Sequence, residues 1–297
     1  MLRLWNLILF ELRKILNNKK AFLFLIVLNI TPIIASLALL IAYISCKSLG
    51  LGDFQFIAMK RIIKAMFTSH FTIFGYTAPF FLALIVGDSF STEFGRGYMK
   101  TLLLTPVRRW QVIVAKTTSI IVFLLIAVLL GGFILQADLL IARGITQPSG
   151  VLPNPLQEKI MDTSISMVSV SSAFQLLVIT FVANLMMIGF FIVFSMFFES
   201  AILMTFCSIG SVMAIHVFYL SAFMLKELVK WFGPLEKLCF TRHFTDLFSI
   251  KTIQDILDGS INILSGKVLE PLGFSLLWAV IFFALAVVIF SRKQVLH

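Results

Sequence analysis

The residues able to do ionic chemistry crowd into one stretch. GDSFSTEFGRGYMKTLLLTPVRRWQVIVAK, Gly87 to Lys116, holds the acids Asp88 and Glu93 and the bases Arg96, Lys100, Arg108, Arg109 and Lys116 between two strongly apolar segments. Groups of this kind grip charged surfaces. Catalytic constellations are missing from the chain, which has no G-x-S-x-G, no H-E-x-x-H and no dense acidic cluster, so a membrane hydrolase has no residues to stand on. It has no G-x-x-x-x-G-K-[ST] loop and no apolar strand ending in an acidic pair, and so cannot cradle ATP phosphates itself. Cys46, Cys207 and Cys239 lie far apart, and His70, His216, His243 and His297 are equally scattered. That spacing supports neither a disulfide framework nor a metal site, and no catalytic or cofactor-binding residue is assigned.

The elements that position the charged stretch must suit a lipid solvent. Of 297 residues, 60% are hydrophobic and 13% charged, with 32 phenylalanines, which is too little polar surface for a water-soluble chain of this size. The net charge of +10 is spread between apolar runs, a pattern for anionic headgroups and not for nucleic acid.

These features predict an all-α integral membrane protein, a single transmembrane domain over 1–297. A helix needs about 20 apolar residues to cross the hydrocarbon core. Six stretches qualify: 21–44, 66–87, 112–137, 171–197, 202–222 and 272–291. Basic density is higher at the termini and around 88–110 than in the loops 45–65, 138–170 and 223–271, so both termini and the 88–110 segment are expected in the cytoplasm. Residues 2–17 place Arg3, Asn6, Arg13, Lys14 and Asn17 on one side and Leu4, Trp5, Ile8, Leu12, Ile15 and Leu16 on the other. This is an interfacial (elbow) helix before the first span, its bases toward headgroups and cytoplasm. Of the outer loops, 138–170 holds TQPSGVLPNP and reads as a surface excursion. Residues 223–271 read as short amphipathic or re-entrant helices before the last span.

Within the charged stretch, Phe90, Phe94, Tyr98 and Leu102 recur every fourth residue as an apolar ridge, with Thr92, Arg96 and Lys100 as a polar ridge beside it. Gly95 and Gly97 weaken that helix, and Pro106 ends it. The order Glu93, Gly97, Leu102–Leu103, Pro106, Arg108–Arg109 and Lys116 resembles a motif between the second and third spans of membrane subunits of type-2 ABC (ATP-binding cassette) exporters. It departs at Tyr98, where that family usually has a small hydroxyl residue. The resemblance extends to the interfacial helix, the six spans and the helical region before the last span, covering essentially the whole chain.

What the resemblance implies is a permease subunit whose 88–110 segment is a coupling helix seated in a cleft of a separate ATPase. Phe90, Glu93, Phe94, Gly97, Tyr98, Leu102, Pro106, Arg108, Arg109 and Lys116 would then be coupling residues. Glu93 would offer its carboxylate to a basic partner, Phe90 and Phe94 would enter an apolar notch, and the arginines would hold the turn at headgroups. ATP and Mg would sit on two ATPase copies, and the permease would pair with itself or a similar chain. Cargo would be a drug, antimicrobial peptide or lipid, moved out through a plasma membrane; the Lys-, Ile- and Phe-rich composition points to a bacterium. Asn29, Thr72, Thr77, Asn184, Ser208 and Ser211 are candidates to line a weakly polar groove between two subunits. Two other classes stay open. An ion-driven secondary transporter would use midplane charge, for which only His70 and His216 are available. A non-transporting scaffold or sensor subunit shares every feature named.

Overall fold

The computed structural model describes residues 2–48, 52–97, 108–146, 169–225 and 232–292, and among them every regular element is an α-helix. In chain order they are α1 (Leu2–Leu16), α2 (Lys19–Ser48), α3 (Gly52–Ser89), α4 (Ser91–Gly95), α5 (Arg109–Thr146), α6 (Val170–Ser195), α7 (Ala201–Leu225), α8 (Phe232–Leu238), α9 (Phe240–Leu247), α10 (Ile250–Leu257) and α11 (Gly266–Arg292). Among the described residues five stretches are long and apolar enough to cross a membrane: Ile62–Gly95, Arg109–Leu140, Val170–Ser195, Ala201–Leu225 and Gly266–Arg292. α2 contains the apolar run expected as the first span, with Pro32 inside it.

α6 is the axis. The Ser169 hydroxyl accepts from the Ser172 amide at 2.9 Å and caps its start. In the most apolar window of α6, 78% is buried inside the chain, against 22% for α7 and 17% for α11. α6 therefore meets protein on nearly every side, while α7 and α11 turn broad apolar faces outward, as helices do when hydrocarbon is their solvent. Rings fill the spaces between helices. Phe24, Phe74, Phe81 and Phe123 join α2, α3 and α5, and Phe190, Phe240 and Phe282 join α6, α9 and α11.

The helices overrun the apolar stretches. The expected outer loop 45–65 is mostly helix, because α2 runs to Ser48 and α3 starts at Gly52. Lys60, Arg61 and Lys64 are good helix formers, and polarity alone does not end a helix without glycine or proline. α5 likewise overruns its apolar stretch, continuing through Gly144 to Thr146. The TQPSGVLPNP segment lies outside the described residues. Between α7 and α11, α8 to α10 pack on the bundle, with Lys64 of α3 holding Asp258 at 2.7 Å. The Phe248 ring lies so close over Gly75 that a Cβ there would stand 2.3 Å from it.

Candidate functional site at the charged end of the bundle

The apolar ridge expected from Phe90 to Leu102 does not continue as one helix. α4 ends at Gly95, and Gly97 adopts φ +73°, the left-handed conformation that glycine takes without strain. Tyr98, Lys100, Leu102 and Pro106 lie outside the described residues.

Short as it is, α4 touches four parts of the molecule. Phe90 is wholly buried in the core, and the Phe94 ring sits 5.8 Å from that of Phe290 in α11. The Ser91 hydroxyl donates to the Ser195 carbonyl at the end of α6, at 3.3 Å. A Cβ on Gly95 would stand 2.6 Å from the Glu199 carbonyl oxygen, so glycine permits the close approach of α4 to the α6–α7 turn. Glu93 completes the set by reaching toward α1 and α5.

Glu93 is the member that sequence reasoning misplaced. It was expected to offer its carboxylate to a basic partner, yet it is 5% exposed. One carboxylate oxygen accepts from Lys116 Nζ at 2.8 Å and the other pairs with Lys14. Lys116, expected as a coupling residue, is 1% exposed, and also reaches Glu11 Oε1 at 2.9 Å. The pairs run Glu11–Lys116–Glu93–Lys14, and α1 closes this neutral set into a ring by carrying both of its ends. Glu11 and Lys14 stand one turn apart on α1, Glu93 on α4 and Lys116 on α5. Neutrality and full pairing are what make such burial tolerable, because an isolated ion in a low-dielectric interior carries a large desolvation penalty. Burial, then the charge of Lys116, pulls the Lys14 amine below its ordinary value, against the opposing influence of Glu11 and Asp88.

Further bonds fix the ring's frame. The Ser119 hydroxyl donates to the Ile8 carbonyl at 2.9 Å, joining α5 to α1. At the corner between α1 and α2, Lys20 Nζ and Asn18 Nδ2 both donate to Asp88, at 2.8 and 3.1 Å. Both acids of the charged stretch thus grip the chain's own N-terminal segment. Glu11, Asn18, Lys20 and Asp88 were not assigned from the sequence. The available signal was a lone acid, Glu11, on the α1 face that holds Ile8 and Ile15, and a lone base, Lys116, inside an apolar helix.

Phe90 is likewise corrected, since a wholly buried ring has no free edge for a partner's notch. Phe94 is half-buried, Arg108 is exposed and caps α5 with its backbone amide on Gln111 Oε1 at 2.9 Å, and Arg109 is half-buried in the first turn of α5.

Five of the six expected groove residues donate to a carbonyl of their own helix. Asn29, Asn184 and Ser208 are buried inside the chain, and donate to the carbonyls of Leu25, Thr180 and Thr205 in their own helices. Thr77 and Ser211, half-buried, likewise bond back to Ile73 and Cys207. Such bonding satisfies a hydroxyl or amide where water is absent. Thr72 is half-buried on α3. His70 is buried against Phe71 and Phe74, and His216 is half-buried beside Tyr219. Among the described residues no group of His, Cys, Asp or Glu is placed to hold a metal ion.

A bundle of apolar helices with a short charged node at one end has a counterpart among known families. The family model for ABC-2 family transporter proteins matches residues 5–295. The chain belongs to the ABC-2 transporter family. It is a multi-pass membrane protein of the permease type, and the family implies an ABC ATPase as partner. The matched region includes Glu11, Glu93 and Lys116, so the ring lies within the family's domain. No curated protein matches the chain.

Proposed function

We propose that the chain is the membrane subunit of an ATP-driven exporter for hydrophobic or amphipathic cargo, such as a drug, an antimicrobial peptide or a lipid. The observation that carries this reading is the position of α4 within a family whose permeases work with a separate ATPase. α4 links α1, α5, the α6–α7 turn and α11, so a push on it reaches elements throughout the bundle. In this reading α2 supplies the sixth span, both termini face the cytoplasm of a bacterial cell, and two such chains, or one with a similar partner, bind two ATPase subunits that hold ATP and Mg.

The coupling role falls unevenly on the expected residues. Arg96, Phe94 and the 98–107 segment that follows would meet the ATPase, whereas Glu93, Phe90 and Lys116 would act from inside as the mount of that segment. Outward apolar faces on α7 and α11 support hydrocarbon or a second copy as neighbours, and a cargo of similar polarity. The test is purification of the tagged chain from its native membrane, with identification of co-eluting chains and assay of ATP hydrolysis. An ABC ATPase should co-elute, and the permease freed of it should hydrolyse no ATP. Robust turnover by the rigorously purified chain alone, or elution with no ATPase, would count against the reading.

A further inference from the structure

The ion pairs at the charged end change what that end presents outside. Glu11, Asp88 and Glu93 are drawn into internal pairs, leaving Glu199 as the exposed acid among the described residues there. The bases are not withdrawn to the same extent. Arg13, Arg96 and Arg108 are exposed, and the Lys14 side chain keeps 49% of its surface while paired with Glu93. Arg96 follows Glu93 by three residues as the C-cap of α4, and the Glu93–Lys14 pair fastens α4 to α1, so Arg96, Arg13 and Lys14 belong to the same end of the bundle. The internal ring thus leaves a basic rim above itself.

We propose that this rim, formed by Arg13, Lys14 and Arg96, docks an acidic surface of the ATPase chain, with Lys14 shared between the buried ring and a carboxylate of the partner. The proposal rests on the permease reading and assigns the chemistry of its contact. Protein is favoured over headgroups because Arg96 belongs to α4, whose other side chains anchor it to three helices and a turn, and such a mount gives a partner a fixed site. A headgroup needs only a mobile base. Charge complementarity also accounts for orientation, since a basic rim steers an acidic face toward α4 before close contact forms. Glu199, which abuts Gly95, disfavours an acidic surface shifted toward the α6–α7 turn.

The experiment captures the co-eluting ATPase on tagged permease carrying Arg13→Glu, Arg96→Glu or both, with chain integrity followed by its melting temperature. Each reversal should weaken capture by about tenfold at low salt, and the double variant further. Capture by the unaltered chain should fall as salt rises from about 0.1 M to about 0.5 M, as screening predicts for exposed charges. An Asp→Lys or Glu→Lys reversal in the ATPase docking cleft should restore capture by Arg96→Glu. If a reversal unfolds the chain, Arg13→Gln and Arg96→Gln with the salt series decide the matter. Undiminished capture by folded variants, with no salt dependence, overturns the proposal and assigns the rim to anionic lipid. If no ATPase elutes with the unaltered chain, the permease reading itself fails.

Discussion

Lys116 Nζ stands 2.9 Å from Glu11 Oε1 and 2.8 Å from Glu93 Oε2, with its side chain fully withdrawn from solvent. One ammonium group thereby holds the N-terminal helix and α4 on the first part of α5. A point contact with two oriented carboxylates fixes their separation, which a purely apolar contact at this place would leave free to slide.

Removal of Lys116 should therefore cost far more than loss of a surface ion pair. Lys116→Met leaves Glu11 buried without its cation, a change worth about 3–5 kcal/mol in comparable settings. The double change Glu11→Gln with Lys116→Met should be milder, since Glu93 keeps Lys14. Melting of detergent-solubilised protein measures both, and a single variant as stable as the unaltered chain would remove the ring from the stability account.

Glu93→Ala should lower folded yield and melting temperature, by several kcal/mol in the same sense, because it strands Lys116 beside Glu11 alone. Glu93→Gln keeps the shape and should fall between. A melting temperature unchanged by either would return Glu93 to the surface.

Two neighbouring glycines should respond differently to alanine. At Gly97 there is open space but φ is +73°, so Gly97→Ala should cost about 1–2 kcal/mol through backbone strain alone. At Gly95 the added Cβ meets backbone 2.6 Å away, so Gly95→Ala must displace α4 from the α6–α7 turn. The distinguishing measurement is ATPase capture by the two variants. It should drop further for Gly95→Ala than for Gly97→Ala, and equal behaviour would count against a steric role for Gly95.

The helices between α7 and α11 should loosen in acid. His243 stacks on Phe274 with ring centroids 4.5 Å apart and bonds the Lys237 carbonyl at 2.8 Å, and burial lowers its pKa below 6.5. Arg242 lowers it further, while the backbone bond, Asp246 and Glu270 pull it upward. A depressed histidine contributes stability that is present above pH 6.5 and lost as pH falls toward its folded value. Asp246, which burial raises above 3.8, acts in the opposite sense at lower pH. Melting temperature should fall between about pH 7 and pH 5.5, and His243→Gln should flatten that slope. Parallel slopes for both chains would exclude His243.

Orientation is open to a labelling test at exposed sites. With the native cysteines replaced, Lys19→Cys should react only from the cytoplasm and Leu264→Cys only from outside. Ser91, wholly buried, is unsuited to this use. Reaction of Leu264→Cys from the cytoplasmic side would invert the arrangement.

Much of the bundle was legible because lipid imposes one rule on every span, an apolar run of sufficient length. Val170–Ser195 and Ala201–Leu225 follow 171–197 and 202–222 within a few residues. Helix ends beyond the hydrocarbon obey propensity instead, which is why 52–65 reads as a loop and folds as helix. The site was legible as a place and not as a set of contacts. Fourfold spacing located Phe90 and Phe94, but whether Glu93 faces water depends on Lys116 and on α1. Glu11 escaped notice because one acid in an amphipathic helix reads as solvated until its cation is known.

The ring also has consequences for biogenesis. Glu11 and Lys116 are 105 positions apart, so the N-terminal helix leaves the ribosome well before its cation is made. At about 5–20 residues per second that interval is roughly 5–20 s, during which Glu11 must stay hydrated at the membrane surface. α5 in turn enters the bilayer carrying a lysine whose counter-ions wait outside. Locking of α1 onto α4 and α5 is therefore a late event that must wait for synthesis of α5.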